Sequence, residues 1–254
     1  MPATTTTTTL RVPTPDGHAD ALAAFPQDGG DHPAVLMYPD AFGLRPVLEE
    51  MARELAGHGY YVLVPNFYYR HGPAPVFELP AHITTENRSE VIGRLMPLLK
   101  ESVAPELVLR DADAYLAFLA EQPGAAPGPV AVTGYCIGAL LALRTAAAHP
   151  DRVAAIAGFH PAAVVNDEPD SPHVVIPRLA AQVHFGIAES DVTPEIVETL
   201  YASLDAAGAR DTCEIYPGTE HGFTMSDTDV FSPSGMERHW QRLLALLGRT
   251  LAKG

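Results

Sequence analysis

Val132-Thr133-Gly134-Tyr135-Cys136-Ile137-Gly138-Ala139-Leu140 is the stretch that decides the fold of this chain. Pro129 to Thr133 is short and β-rich, as a buried strand should be, and an Ala/Leu-rich helical pattern from about Cys136 to Ala148 follows with no linker. A strand that turns straight into a helix needs a sharp backbone reversal. Gly-x-Cys-x-Gly supplies one, because the small flanking residues let the chain bend and the helix pack close. The apex of such a turn carries a nucleophile, and here the apex is a cysteine. A helix N-terminus favours the thiolate of a cysteine placed there. The N–H of Ile137, the next residue, points where an oxyanion would form. Free cysteine is often buried for packing alone, and strand and helix in the right order on either side are what favour the nucleophile.

Outward from this turn, short β-rich runs alternate with helical patterns. Ala34 to Tyr38 reads as a buried strand, Pro46 to His58 as a helix, and Tyr60 to Val64 as a second strand. Downstream, Val153 to Ala157, Ala180 to Phe185 and Cys213 to Tyr216 read as strands, Pro194 to Ala207 as a helix, and about Met236 to Leu247 as a final helix. Such alternation predicts a single α/β domain over 1–254, with a mostly parallel central sheet and helices on both faces. The segment 66–109 breaks the rhythm with Tyr68, Tyr69, Arg70, several prolines and two short helical patterns. It reads either as a helical cap over the strand ends, where sites in open α/β sheets lie, or as an enlarged crossover.

A cysteine nucleophile needs a base. Tyr216-Pro217-Gly218-Thr219-Glu220-His221-Gly222-Phe223 follows the last expected strand and offers His221 in a tight turn before the final helix. The acid is expected after the preceding strand, in Phe185-Gly186-Ile187-Ala188-Glu189-Ser190-Asp191. Asp191 is the preferred candidate and Glu189 the alternative; Asp191 also stands where it would cap the helix opening at Pro194. The order Cys136, Asp191, His221 is the nucleophile–acid–histidine order of the α/β-hydrolases.

At these motifs the chain resembles the dienelactone hydrolase family, through Gly134 to Gly138, Tyr216 to Phe223 and Tyr38-Pro39-Asp40-Ala41-Phe42-Gly43. The match runs from about Ala34 to the C-terminus, and the cysteine at the elbow is its distinctive element. The resemblance implies a Cys–Asp–His hydrolase of lactones that uses no metal or cofactor. It also implies that Ala41 and Ile137 form the oxyanion hole, and that Asp40, at a family glutamate position, tunes the thiol. Aspartate is one methylene shorter than glutamate, and the alternative role for Asp40 is to cap a helix starting near Leu44. The family usually places its acid three residues after a glycine, where this chain has Glu189. Arg70, Arg88 and Arg94 are candidate partners for a substrate carboxylate. His160, in Phe159-His160-Pro161, is a candidate pocket residue.

Composition narrows the alternatives. The formal net charge of −15 opposes binding to nucleic acid or anionic lipid. The most apolar window, Val130 to Ala148, is interrupted by Gly134, Gly138 and Arg144 and does not read as a membrane span. Met1-Pro2-Ala3 and the run Thr4 to Thr9 lack the features of a secretory leader; the threonines read as a frayed end or an edge extension. Two cysteines in apolar stretches suit a reducing cytoplasm rather than a disulfide framework. No histidine or cysteine pair has metal-ligand spacing, and no phosphate-binding glycine loop occurs. The expectation is a monomeric or homodimeric cysteine hydrolase of a small ester or lactone. Its rivals are a general carboxylesterase or thioesterase, and a non-catalytic binder or redox sensor built on the same scaffold.

Overall fold

The structure, a computed structural model, describes residues 3–251. The chain runs β1 (Thr5–Thr14), β2 (Gly17–Pro26), β3 (Ala34–Tyr38), α1 (Pro46–Gly57), β4 (Tyr61–Pro65), α2 (Thr85–Ser102) and α3 (Pro105–Ala120). It continues through β5 (Val130–Tyr135), α4 (Ile137–Ala148), β6 (Val153–Phe159), α5 (Pro172–Val175), β7 (Gln182–Ala188), α6 (Pro194–Ala206), β8 (Cys213–Tyr216) and α7 (Pro233–Thr250). The eight strands form one sheet in the order β1-β2-β4-β3-β5-β6-β7-β8. From β4 to β8 every pairing is parallel, whereas β1–β2 and β2–β4 are antiparallel.

The central strands are fully buried because helices cover both faces. Alternation along β3 shows this directly: Leu36 and Tyr38 join the core with α3 and α4, while Val35 and Met37 join the core with α1 and α7. The expected strands and helices are all present, with ends shifted by a few residues. The threonine run is not frayed. Thr5 to Thr9 form the first half of β1, the edge strand, which pairs along its length with β2 from Thr5↔Pro26 to Thr14↔Gly17. The stretch read as lacking a leader opens with Met1 and Pro2, which lie outside the described residues.

The segment 66–109 divides into two kinds of structure. α3, which begins in it and runs on to Ala120, packs on β1, β3 and α4 as a crossover helix. α2 lies over the carboxyl ends of the strands and contributes to the cavity there. Thr84 and Asn87 start α2 with a reciprocal capping box. Among the described residues, no helix is long and apolar enough to cross a membrane.

Candidate active site

Cys136 occupies the turn between β5 and α4 with φ 54° and ψ −117°, a left-handed conformation that costs a non-glycine residue strain. Close packing holds it there. A Cβ on Gly134 would come within 2.0 Å of the Gly138 carbonyl oxygen, and one on Gly138 within 2.3 Å of the Pro39 carbonyl oxygen. The Cys136 N–H donates to the Phe159 carbonyl oxygen at 3.0 Å, tying the turn to the end of β6.

The loops after β7 and β8 bring Asp191 and His221 to this thiol. His221 Nε2 is 3.0 Å from Cys136 Sγ, and His221 Nδ1 is 2.7 Å from Asp191 Oδ2. The two loops are stitched together: the Ser190 N–H donates to the Thr219 carbonyl, and the His221 N–H to Ser190 Oγ at 3.1 Å. Glu189 accepts the Gly218 N–H at 2.8 Å, so its carboxylate fixes the turn before His221 rather than the imidazole itself. Of the two candidate acids, the geometry joins Asp191 to His221. Burial alone would lower the His221 pKa; the Asp191 hydrogen bond and the Cys136 sulfur outweigh it and raise the value to about 10. His221 is therefore the imidazole of this site that carries charge.

A cavity of about 340 Å³ opens on Cys136 and His221. Ala41 and Ile137, the expected oxyanion donors, both line it. The buried Tyr68 hydroxyl donates to the Ala41 carbonyl at 2.7 Å and so orients the neighbouring peptides. His160 also lines the cavity and is fully buried, its ring edge-on to His221 at 5.3 Å between centroids. Burial first, and then the nearby His221, keep His160 well below the usual imidazole range, so it stays neutral. Its Nε2 meets Thr224 Oγ1 at 2.8 Å.

Other nominated residues fall differently. Asp40 lines the cavity, but Arg45 grips its carboxylate, with Nη1–Oδ1 at 2.5 Å and Nη2–Oδ2 at 3.1 Å. Arg45 also bridges to Asp227 beyond the His221 loop, at 2.6 and 3.2 Å. Asp40 is therefore fixed in the loop after β3, and neither of its carboxylate oxygens is without a partner. Nor does it cap a helix: α1 begins at Pro46, and Asp40 Oδ1 instead accepts the Phe42 N–H. Arg70 is bound to Asp16 and Asp111 and lies outside the cavity lining. Arg94 is exposed on α2 and is also outside it. Arg88 does line the cavity, and its Nη2 donates to the His221 carbonyl at 3.1 Å. Arg45, Tyr68 and Ser190 were not foreseen. Arg45 and Asp227 stand 182 positions apart, so no local pattern announces their pairing.

A mostly parallel sheet with a cysteine at the sharp turn after β5, an aspartate after β7 and a histidine after β8 has the architecture of an α/β-hydrolase. The chain belongs to the dienelactone hydrolase family, whose model matches residues 19–251, and it is accordingly a hydrolase of ester or lactone bonds. It is 28% identical over 240 residues to a Yersinia pestis protein provisionally named carboxymethylenebutenolidase, covering 92% of this chain and 84% of that one. Identity is also 28%, over 225 residues, to the carboxymethylenebutenolidase of a Pseudomonas species, covering 87% and 86%. A crystal structure from Klebsiella pneumoniae, provisionally described as a dienelactone hydrolase, superposes with a TM-score of 0.82. That match has 23% identity and covers 97% of this chain and 99% of the other.

Proposed function

We propose that this enzyme cleaves an ester or lactone by acyl transfer to Cys136. The observation that carries this reading is the continuous hydrogen-bonded series Cys136 Sγ, His221 and Asp191 at the edge of one cavity. In the first step His221 Nε2 holds the proton given up by the Cys136 thiol, and the thiolate sulfur attacks the substrate carbonyl. The N–H groups of Ile137 and Ala41 receive the oxyanion, each worth roughly 3–4 kcal/mol by analogy with other oxyanion donors. The carbon–oxygen bond then breaks, His221 returns the proton to the departing alkoxide, and a thioester remains. For a lactone, the alcohol stays attached to the acyl group. In the second step His221 takes a proton from water, hydroxide attacks the thioester, and the acid leaves as the thiol is restored. Asp191 holds the imidazole with Nε2 toward sulfur and stabilises its charged form.

Among the sequence-nominated arginines, Arg88 is the one lining the cavity, so a substrate carboxylate would meet it there. The decisive experiment compares wild type with Cys136→Ala on a dienelactone and on p-nitrophenyl acetate, with intact-protein mass spectrometry to catch the acyl-enzyme. Wild type should turn over and gain the acyl mass, and the variant should do neither. Equal turnover by both proteins would overturn the cysteine mechanism. Oxidation of Cys136 without turnover of any ester would favour the sensor reading.

A further inference from the structure

The cavity at Cys136 has a polar end and an apolar wall. The wall comes from α2, through Ile92, Leu95, Met96 and Leu99, whose spacing places them on one helical face. Phe42, Ile137, Ala162 and Met225 complete the apolar lining. Most polar groups around it are already engaged inside the protein. Asp40 is held by Arg45, Thr228 Oγ1 donates to the Met225 carbonyl, and His160 Nε2 meets Thr224; Arg88, with donors beyond the one it gives the His221 carbonyl, belongs to the polar end. A substrate arm carrying charge or hydroxyls would lose its water along this wall and gain few partners in return. An aliphatic arm would gain. Met96 supplies an independent sign: it remains 47% exposed, one of two large apolar side chains left so open among the described residues, and it belongs to the cavity wall. A seated apolar arm would cover it.

We infer that the ester or lactone cleaved at Cys136 carries an apolar aliphatic arm lying along α2. The strip from Ile92 to Leu99 spans about 10 Å of helix, which matches an arm of roughly six to eight carbons. This inference rests on the proposed acyl transfer and names the substrate class for it.

Two substrate series test it: p-nitrophenyl esters from acetate to dodecanoate, which lengthen the acyl arm, and alkyl acetates from ethyl to decyl, which lengthen the alcohol arm. In one series kcat/KM should climb about two- to fourfold per methylene, then fall once the arm outgrows the strip. Ile92→Asp and Met96→Asp, checked for folding by circular dichroism, should flatten that climb, read as the ratio of hexyl- to acetyl-length substrates within each variant. If acetate is turned over through Cys136 but both series are flat or falling, the apolar arm is overturned and the cysteine chemistry survives. A carboxylate-bearing dienelactone preferred over every alkyl ester would also overturn it. Absence of turnover and of acyl-enzyme with every substrate would overturn both readings.

Discussion

The floor and the roof of the cavity are built by different rules. The floor is made of strand ends and the turns that leave them: Ala41 after β3, Cys136 after β5, His160 after β6 and His221 after β8. Its positions are set by backbone against backbone, with glycines where no side chain fits. The roof is α2, which presents apolar side chains of ordinary helical spacing, with Arg88 beside them near its N-terminal end. Chemistry needs reacting atoms placed to within fractions of an ångström, and the floor has the rigidity for that. An apolar wall needs only shape and hydrophobicity, and many sequences satisfy it. On the proposed mechanism, catalytic identity is concentrated in a few residues of the floor, and the inferred substrate arm places substrate choice in the roof.

The same chemical change made in each region should separate them, and the larger effect belongs to the floor. Gly138→Ala would drive a methyl group to 2.3 Å from the Pro39 carbonyl oxygen and 2.6 Å from that of Tyr38. Neither atom can swing away as a side-chain tip would, so β3 and α4 must separate. The expected cost is about 3 kcal/mol or more of stability, with the elbow displaced and activity lost. Chemical denaturation of a variant with wild-type stability and turnover would show that the floor is less rigid than described.

Within the floor, the two acids differ by role rather than by distance along the chain. Asp191→Asn leaves the shape of the loop but removes the charge on His221 Nδ1, and kcat should fall by roughly 10²–10⁴. Glu189→Gln keeps an oxygen for the Gly218 N–H, and kcat should change by less than about tenfold. Steady-state kinetics on one aryl ester checks both. A larger loss for Glu189→Gln would reverse the assignment of the acid.

The floor could be read from sequence because each part has a local signature: strand, Gly-x-Cys-x-Gly and helix for Cys136, a turn after the last strand for His221. The roof and the Arg45 ion pairs had none. Ile92, Leu95, Met96 and Leu99 mark a helix, but which partner or ligand that helix faces depends on long-range packing. Asp40 was placed in this loop from sequence, but its pairing with Arg45 was not legible, because Arg45 and Asp227 converge only in three dimensions. Arg70 was nominated by its insertion and is taken by Asp16 and Asp111 from two other parts of the chain. The threonines of β1 carry no hydrophobic alternation, so their pairing with Ala-rich β2 comes from the register of the hairpin rather than from patterning.

Acid should also act on the floor before the roof. His160 at the end of β6, His184 in β7 and His239 in α7 are buried; burial leads in lowering all three, His184 to about 4 and His239 to about 3. A histidine with a lowered folded-state pKa stabilises the fold above its unfolded value of about 6.5 and loses that contribution as pH falls below it. His221 works the other way: its contribution is complete below about 6.5 and fades as pH rises through about 10. Below pH 6.5 His184 and His239 should therefore each lower stability, with a slope approaching about 1.4 kcal/mol per pH unit as pH nears 5, and His160 acts in the same direction. α2 contains no histidine and adds none of this sensitivity. Urea denaturation at pH 7.5 and 5.0 measures the loss, and His239→Gln should make it shallower. Equal stability at both pH values would mean that these imidazoles are hydrated in solution.

The smallest effect, and the one of opposite sign, lies in the roof. Gly93 sits inside α2 beside Ile92, is exposed, and has nothing within 4 Å of where a Cβ would stand. A glycine in a helix interior loses more chain entropy on folding than alanine does, so Gly93→Ala should stabilise the protein by about 0.5–1 kcal/mol. The methyl group points away from the cavity-lining face, which leaves the arrangement at Cys136 untouched. If α2 is a fixed wall, the variant gains stability while its chain-length profile stays as in wild type. If α2 must loosen to admit substrate, the stiffer helix should raise KM for long esters more than for acetate, since only the longer arm has to pass beneath it. Thermal unfolding together with KM for acetate and hexanoate distinguishes the two. A loss of stability would show that this position is not the plain helical site its surroundings indicate.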